Sequence, residues 1–173
     1  MLILSATKGT NLDLAHAFAT QATVKGLSAE VIALPDLQLT MFDSTNKDQG
    51  AGDGLVNLEQ ALKRHSGLIV CVPEYNGSIP PVLSNAMAWL SVSTADFRAL
   101  FNTRPVVIAT HSGGGGQKVL VAMRQQFAHL GCTVLGRELA TNSQKPANPD
   151  SIAALVAQLK VLEASYEGVP ASV

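Results

Sequence analysis

Charge is scarce in this chain. Asp, Glu, Lys and Arg make up 14% of its 173 residues, against about 25% in an ordinary soluble domain. Twelve basic residues face 13 acidic ones, for a net charge of −1. No block of like charges occurs, so the concentrated basic surface of a nucleic-acid binder is missing and no such partner is expected. Long apolar runs are missing too. Nothing approaches the roughly 18 consecutive apolar residues of a membrane span, so no membrane partner is expected. The opening Met1-Leu2-Ile3-Leu4 has no basic stretch before its apolar residues, which predicts no secretory signal and a cytoplasmic location. Cysteine is limited to Cys71, inside an apolar run, and Cys132, after a glycine. With no Cys-x-x-Cys, both are expected as free buried thiols rather than disulfide partners or ligands. His, Cys and carboxylates do not cluster at ligand spacing, so no metal is expected. The P-loop pattern G-x-x-x-x-G-K-[ST] is absent, which removes the lysine and the magnesium-binding hydroxyl that nucleoside-triphosphate hydrolysis needs.

What is present is an alternation. Short apolar runs at 2–4, 29–34, 68–72, 105–109 and 133–139 read as five strands, separated by segments with helical periodicity. Leu14, Ala15, Phe18, Ala19 and Ala22 form one helical stripe, and Val119, Leu120, Met123, Phe127 and Leu130 form another, stopped at Gly131. Asn148-Pro149-Asp150 is a helix start, followed by Ile152, Leu155, Val156 and Leu159. Residues 55–64 and 81–92 complete five helices. Length and pattern predict one α/β domain over residues 1–173. The expected core is a five-stranded parallel sheet of order 2-1-3-4-5, with helices on both faces.

In that topology a ligand sits beyond the carboxyl ends of strands 1 and 3, where the winding reverses. Three loops therefore matter. The first, residues 5–11, offers hydroxyls at Ser5, Thr7 and Thr10, the Asn11 amide and a helix start, which together suit a phosphate; an ordinary polar helix cap is the plainer alternative. In the second, residues 73–80, two prolines fix the backbone, Gly77 permits a tight bend and Tyr75 offers an aromatic plane. It could present backbone groups to a planar heterocycle or be only a rigid turn. The third, residues 111–117, carries Gly113 to Gly116 in a row, as expected where a ligand passes too close for a Cβ. Three coincident signals on one sheet edge predict a flat, phosphorylated ligand. The connection at 35–54, longer than most, would cover this site, reach a partner or remain a disordered surface loop.

The stretch Pro73-Glu74-Tyr75-Asn76-Gly77-Ser78-Ile79-Pro80, followed by Leu83, Asn85-Ala86 and Trp89, resembles the P-E-Y-N-x-S-x-P-x-x-L-x-N-A-x-x-W motif of the NADPH-dependent FMN reductase family. That family is flavodoxin-like and includes azoreductases, quinone reductases and chromate reductases. Ser112 to Gly116, with Met123-Arg124 and Leu130-Gly131, is similar to the family's Gly-rich loop and the helix after it. The first loop departs from the family's G-S-x-R-x-x-S-x-N: it is one residue shorter from Ser to Asn and has Lys8 where an Arg is usual.

The resemblance implies a three-layer flavodoxin-like sandwich with FMN as cofactor and NAD(P)H as co-substrate. Ser5, Lys8, Thr10, Asn11 and Leu12 would hold the phosphate. Pro73, Glu74, Tyr75, Asn76 and Gly77 would border the isoalloxazine, with Ser112, Gly113 and Gly115 at its other edge. The implied activity is ping-pong hydride transfer from NAD(P)H through FMN to a small-molecule electron acceptor such as a quinone, an azo dye or a free flavin. The competing expectation is a flavin-binding electron carrier or redox sensor, but a net charge of −1 lacks the acidic field such carriers use for docking. The helix at 81–92 is apolar around much of its circumference through Val82, Leu83, Ala86, Met87, Trp89, Leu90 and Val92. Together with the resemblance, this predicts a homodimer or homotetramer.

Overall fold

The structure, a computed structural model, describes residues 1–166; the domain expected over 1–173 thus includes seven residues outside that range. Six strands form one parallel sheet: β1 (Leu2–Ser5), β2 (Glu30–Ala33), β3 (Leu68–Cys71), β4 (Pro105–His111), β5 (Thr133–Val134) and β6 (Leu139–Thr141). Their order is β2-β1-β3-β4-β5, with β6 also paired to β4. The helices are α1 (Thr10–Val24), α2 (Asp53–Arg64), α3 (Pro81–Ser93), α4 (Gln117–His129) and α5 (Pro149–Tyr166). None of them is long and apolar enough to cross a membrane.

The two-residue period of the strands feeds two cores. Leu2, Leu4, Leu68, Val70, Val106 and Ile108 point to the face covered by α2, α3 and α4. Ile3, Ile69, Cys71, Val107 and Ala109 point to the face covered by α1 and α5. All of these strand residues are fully buried. A sheet covered on both faces selects near-continuous apolar runs, which is why these strands are visible in the sequence.

The fifth strand requires a correction, because the run at 133–139 is split rather than continuous. Five residue steps separate Val134 from Leu139, whereas three separate their β4 partners Val106 and Ala109. The excess chain turns outward, where the Arg124 guanidinium of α4 donates to the carbonyls of Leu135 (2.9 Å) and Gly136 (3.4 Å) and to the Glu138 carboxylate (2.8 Å). Carbonyls held by an arginine leave the ladder, and pairing resumes only at Leu139.

The long connection after β2 is tied down. Trp89 Nε1 donates to the Thr40 carbonyl at 2.6 Å, Asn85 Nδ2 donates to the same oxygen at 3.0 Å, and Phe42 N donates to Asn85 Oδ1 at 2.7 Å. The Phe42 ring meets Trp89 edge-on at 5.1 Å. Asn85 and Trp89 lie four residues apart, on one face of α3, so a single helical stripe holds the strap. Leu83, Ala86, Met87, Trp89 and Leu90 are consequently buried within the chain, while Val92 stays 43% exposed. The apolar circumference that predicted self-association is therefore largely covered by the chain's own strap and by α2.

Candidate functional site

The loops after β1, β3 and β4 open on one edge, across the point where the strand order reverses. In the first, Ser5 is buried and its Oγ donates to the Thr7 carbonyl at 2.8 Å, so its hydroxyl closes the loop on itself. Gly9 caps α1 without any side-chain bond to the helix. Among the described residues the N–H groups of Thr10 and Asn11 take no acceptor, whereas Leu12 N–H turns back to the Gly9 carbonyl at 2.7 Å. Unpaired donors at the positive end of a helix are groups that suit an anion. Lys8, the loop's one cation, forms an ion pair with Asp36, beyond β2. The side chain of Asn11 is committed elsewhere: its Nδ2 donates to the His111 carbonyl at 3.0 Å, and its Oδ1 accepts the His111 N–H at 2.8 Å. Its backbone N–H stays at the helix start while its amide clamps the first loop to the third.

The second loop is preformed. Tyr75 and Ser78 exchange two backbone hydrogen bonds of 3.1 and 3.0 Å around Asn76 and Gly77, both at positive φ, 51° and 73°. Asn-Gly suits this type I′ turn because both central residues must be left-handed. The turn projects Tyr75, 49% exposed, at the rim. Pro73 is buried. Glu74 does two things: its N–H donates to Ser112 Oγ at 2.7 Å, and its Oε2 accepts the N–H groups of Lys118 (3.1 Å) and Val119 (3.3 Å) at the start of α4. The carboxylate therefore caps α4 from a different loop.

The third loop begins at buried Ser112, whose Oγ also shares a 2.8 Å hydrogen bond with Thr110 Oγ1. Gly116 is held at φ +71°, and a Cβ there would lie 2.4 Å from Thr110 Cγ2, so the backbone admits only glycine. Gly113 and Gly114 are different: their φ values are ordinary and the space a Cβ would fill is open. Beside α1 a cleft of about 270 Å³ is lined by Thr10, Asp13, His111 and Thr141 among others. Thr141 Oγ1 donates to the Thr110 carbonyl at 2.9 Å and lies 3.1 Å from His111 Nδ1. A larger apolar cleft of about 500 Å³ between β5 and α5, lined by Val134, Leu135, Val161 and Leu162 among others, lies away from these loops.

Burial pushes the Cys132 thiol up to about 12 and the Cys71 thiol further still. Neither is a thiolate near neutral pH, so the chain offers no thiolate chemistry. Among the described residues no group of three His, Cys, Asp or Glu side chains is placed to hold a metal ion.

A model of the NADPH-dependent FMN reductase family matches residues 1–146. The chain belongs to that family. It is 31% identical over 114 residues to a quinone reductase of Escherichia coli (strain K12), a match covering 64% of this chain and 59% of that protein. It is 30% identical over 89 residues to NADH:(hydroxy)cinnamate reductase subunit CrdA of Vibrio ruber, covering 50% of this chain and 42% of that one. The chain thus spans less than two thirds of these relatives. The fold matches that of FerB, a flavoenzyme NAD(P)H:(acceptor) oxidoreductase from Paracoccus denitrificans, with a TM-score of 0.72 at 15% identity and 96% coverage of each chain. An archaeal flavodoxin superposes with a TM-score of 0.63 at 9% identity, covering 96% of this chain and 97% of that one. These structural likenesses establish a flavodoxin-like fold.

The cofactor of the FMN reductase family is FMN, a planar tricycle carrying a phosphate. The residues present fit both parts. The unpaired N–H groups of Thr10 and Asn11 suit the phosphate. The rigid 73–77 corner, and the space left open at Gly113 and Gly114, suit a flat ring. Of the residues expected from sequence, Thr10, Asn11, Tyr75 and Gly113 stand ready at the edge, while Ser5, Glu74 and Ser112 are engaged in holding the loops. Sequence reasoning missed Asp36, Thr110, Lys118 and Thr141. Asp36, Lys118 and Thr141 act through contacts between distant segments, for which no local spacing gives a signal, and Thr110 acts within its own loop on Ser112 and Gly116.

Proposed function

We propose that this protein is an FMN-dependent NAD(P)H oxidoreductase acting on a small-molecule electron acceptor of the quinone, azo or flavin type. The observation that carries this reading is the convergence of three loops on one sheet edge, in a chain of the FMN reductase family: one leaves helix-start donors unpaired, one is a preformed corner, and one leaves open space over two glycines. Flavin, when bound, supplies the hydride chemistry, and the protein supplies position and electrostatics.

In this reading the N–H groups of Thr10 and Asn11 hold the phosphate, helped by the Thr10 hydroxyl and by the loop that Ser5, Lys8 and Leu12 shape. Pro73, Glu74, Tyr75, Asn76 and Gly77 border one side of the ring, and Ser112, Gly113 and Gly115 border the other. The loops are cross-tied, so the site is rigid before any ligand arrives, which lowers the cost of binding. Donor and acceptor use one crevice in turn, giving ping-pong kinetics, and no side chain of the protein need act as acid or base. One domain over the whole chain, a cytoplasmic location and a homodimer or homotetramer belong to the same reading; the case for self-association rests on the family resemblance, since the strap covers α3.

The test is anaerobic. Protein loaded with FMN should lose its yellow absorbance on addition of NAD(P)H and regain it with a quinone. FMN-loaded protein that stays yellow would overturn the reductase reading and leave an electron carrier.

A further inference from the structure

We infer that Lys118 is a specificity-determining residue that gives this site a preference for substrates bearing an anionic group. The inference rests on the proposed FMN reductase function and goes beyond it to the chemical class of the substrate. Three features place the lysine. Its backbone is pinned, because Glu74 Oε2 accepts the Lys118 N–H at 3.1 Å. Its stem lies along the turn of the second loop: a Cβ on Gly77 would lie 3.3 Å from Lys118 Cδ and 4.0 Å from Nζ, so the missing side chain at Gly77 is what seats the lysine. Finally, its ammonium has no carboxylate within 4 Å among the described residues, whereas the other rim lysine, Lys8, is paired with Asp36.

The electrostatic consequence follows from the remaining charges at the rim. Lys8 and Asp36 cancel. Glu74 directs its carboxylate into the α4 start, where two N–H groups take up its charge. Asp13 lies on α1, beside the cleft on the far side of the first loop. Among the described residues, the ammonium beside Gly77 is thus a cation without an ion-pair partner next to the corner expected to border the flavin ring. An exposed ammonium whose stem lies against the turn attracts a phosphate, carboxylate or sulfonate through a charge-assisted hydrogen bond. Two sources can supply such a group: the pyrophosphate of the nicotinamide donor and an acidic substituent on the acceptor.

The experiment uses FMN-loaded protein and the variants Lys118→Glu and Lys118→Arg. The donor arm measures the Kd of NADP⁺ by calorimetry. The acceptor arm measures KM and kcat for a neutral quinone and for its sulfonated analogue. Lys118→Glu should weaken the anionic ligand of one arm about tenfold or more, the scale of one charge-assisted hydrogen bond. FMN affinity, neutral-quinone KM and kcat should stay unchanged, and Lys118→Arg should retain wild-type behaviour. The arm that responds identifies the source. Less than a twofold change in both arms, with FMN still bound and bleached by NAD(P)H, would overturn the inference while leaving the reductase reading intact. Failure of the wild-type protein to bind FMN would overturn both.

Discussion

Asn11→Ala should lower FMN affinity about a hundredfold and cost about 2–4 kcal/mol of stability, the lower part of the range set by two unsatisfied groups at about 1–3 kcal/mol each, because both bonds are part-buried. Asn11 is 2% exposed, and its amide bonds both backbone groups of His111, at 3.0 and 2.8 Å. Alanine cannot replace either bond, so the His111 N–H and carbonyl lose their partners at a part-buried position. The effect on binding is separate from the effect on stability. The clamp fixes the start of α1 against the third loop, and the donors proposed for the phosphate lie in that first turn. Denaturant unfolding of the apoprotein measures the first quantity and quenching of FMN fluorescence the second. A variant that is destabilised but binds FMN like wild type would show that the clamp serves the fold alone.

Arg104→Met should cost about 3 kcal/mol and leave FMN affinity of the folded protein unchanged. Arg104 is 3% exposed and donates to the carbonyls of Leu62 (2.8 Å), Leu100 (2.6 Å), Ser66 (3.3 Å) and His65. Two of these acceptors, Leu62 and His65, lie at the end of α2, so one guanidinium satisfies the negative end of a helix and joins it to the entry of β4. Desolvation holds the Arg104 pKa below its usual value, yet an arginine stays charged throughout the working range. Methionine matches the length and removes the cost of burying the charge, but it orphans the carbonyls. The residue immediately precedes β4, at the sheet edge opposite the three loops, so its loss should register in the melting temperature and not in the binding curve. Loss of FMN affinity in the folded variant would mean that the two edges are coupled.

The contrast between these residues shows what was legible in the sequence. Strands buried on both faces, such as Leu68–Cys71, and helices with one apolar stripe, such as that of Leu14, Ala15, Phe18 and Ala22, are encoded locally and read off directly. The three ligand loops are legible by position, because topology dictates where a doubly wound sheet opens. The roles inside them are not. Asn11 finds its partner 100 residues away and Glu74 reaches 44 residues to α4; both resemble ligand residues in sequence because holding the loops and touching a ligand call for the same polar side chains. The split of the fifth strand depends on Arg124 reaching Leu135 and Gly136, a choice that no run of apolar residues records. Helix α3 looked like an interface for a similar reason: its apolar circumference is visible in sequence, and the strap of Thr40 and Phe42 that covers it is visible only in three dimensions.

The scarcity of charge also has a structural meaning. Phosphate recognition here is assigned to backbone N–H groups at a helix start, with the lone cation of the first loop already paired. Titration of the protein with FMN and, separately, with riboflavin tests that assignment most directly. Tight binding of one FMN per chain, with riboflavin weaker by at least about a hundredfold, is predicted, since riboflavin lacks the group that accepts two charge-assisted hydrogen bonds of about 1.5–3 kcal/mol each. Equal affinity for the two flavins, or no binding of either, would contradict it.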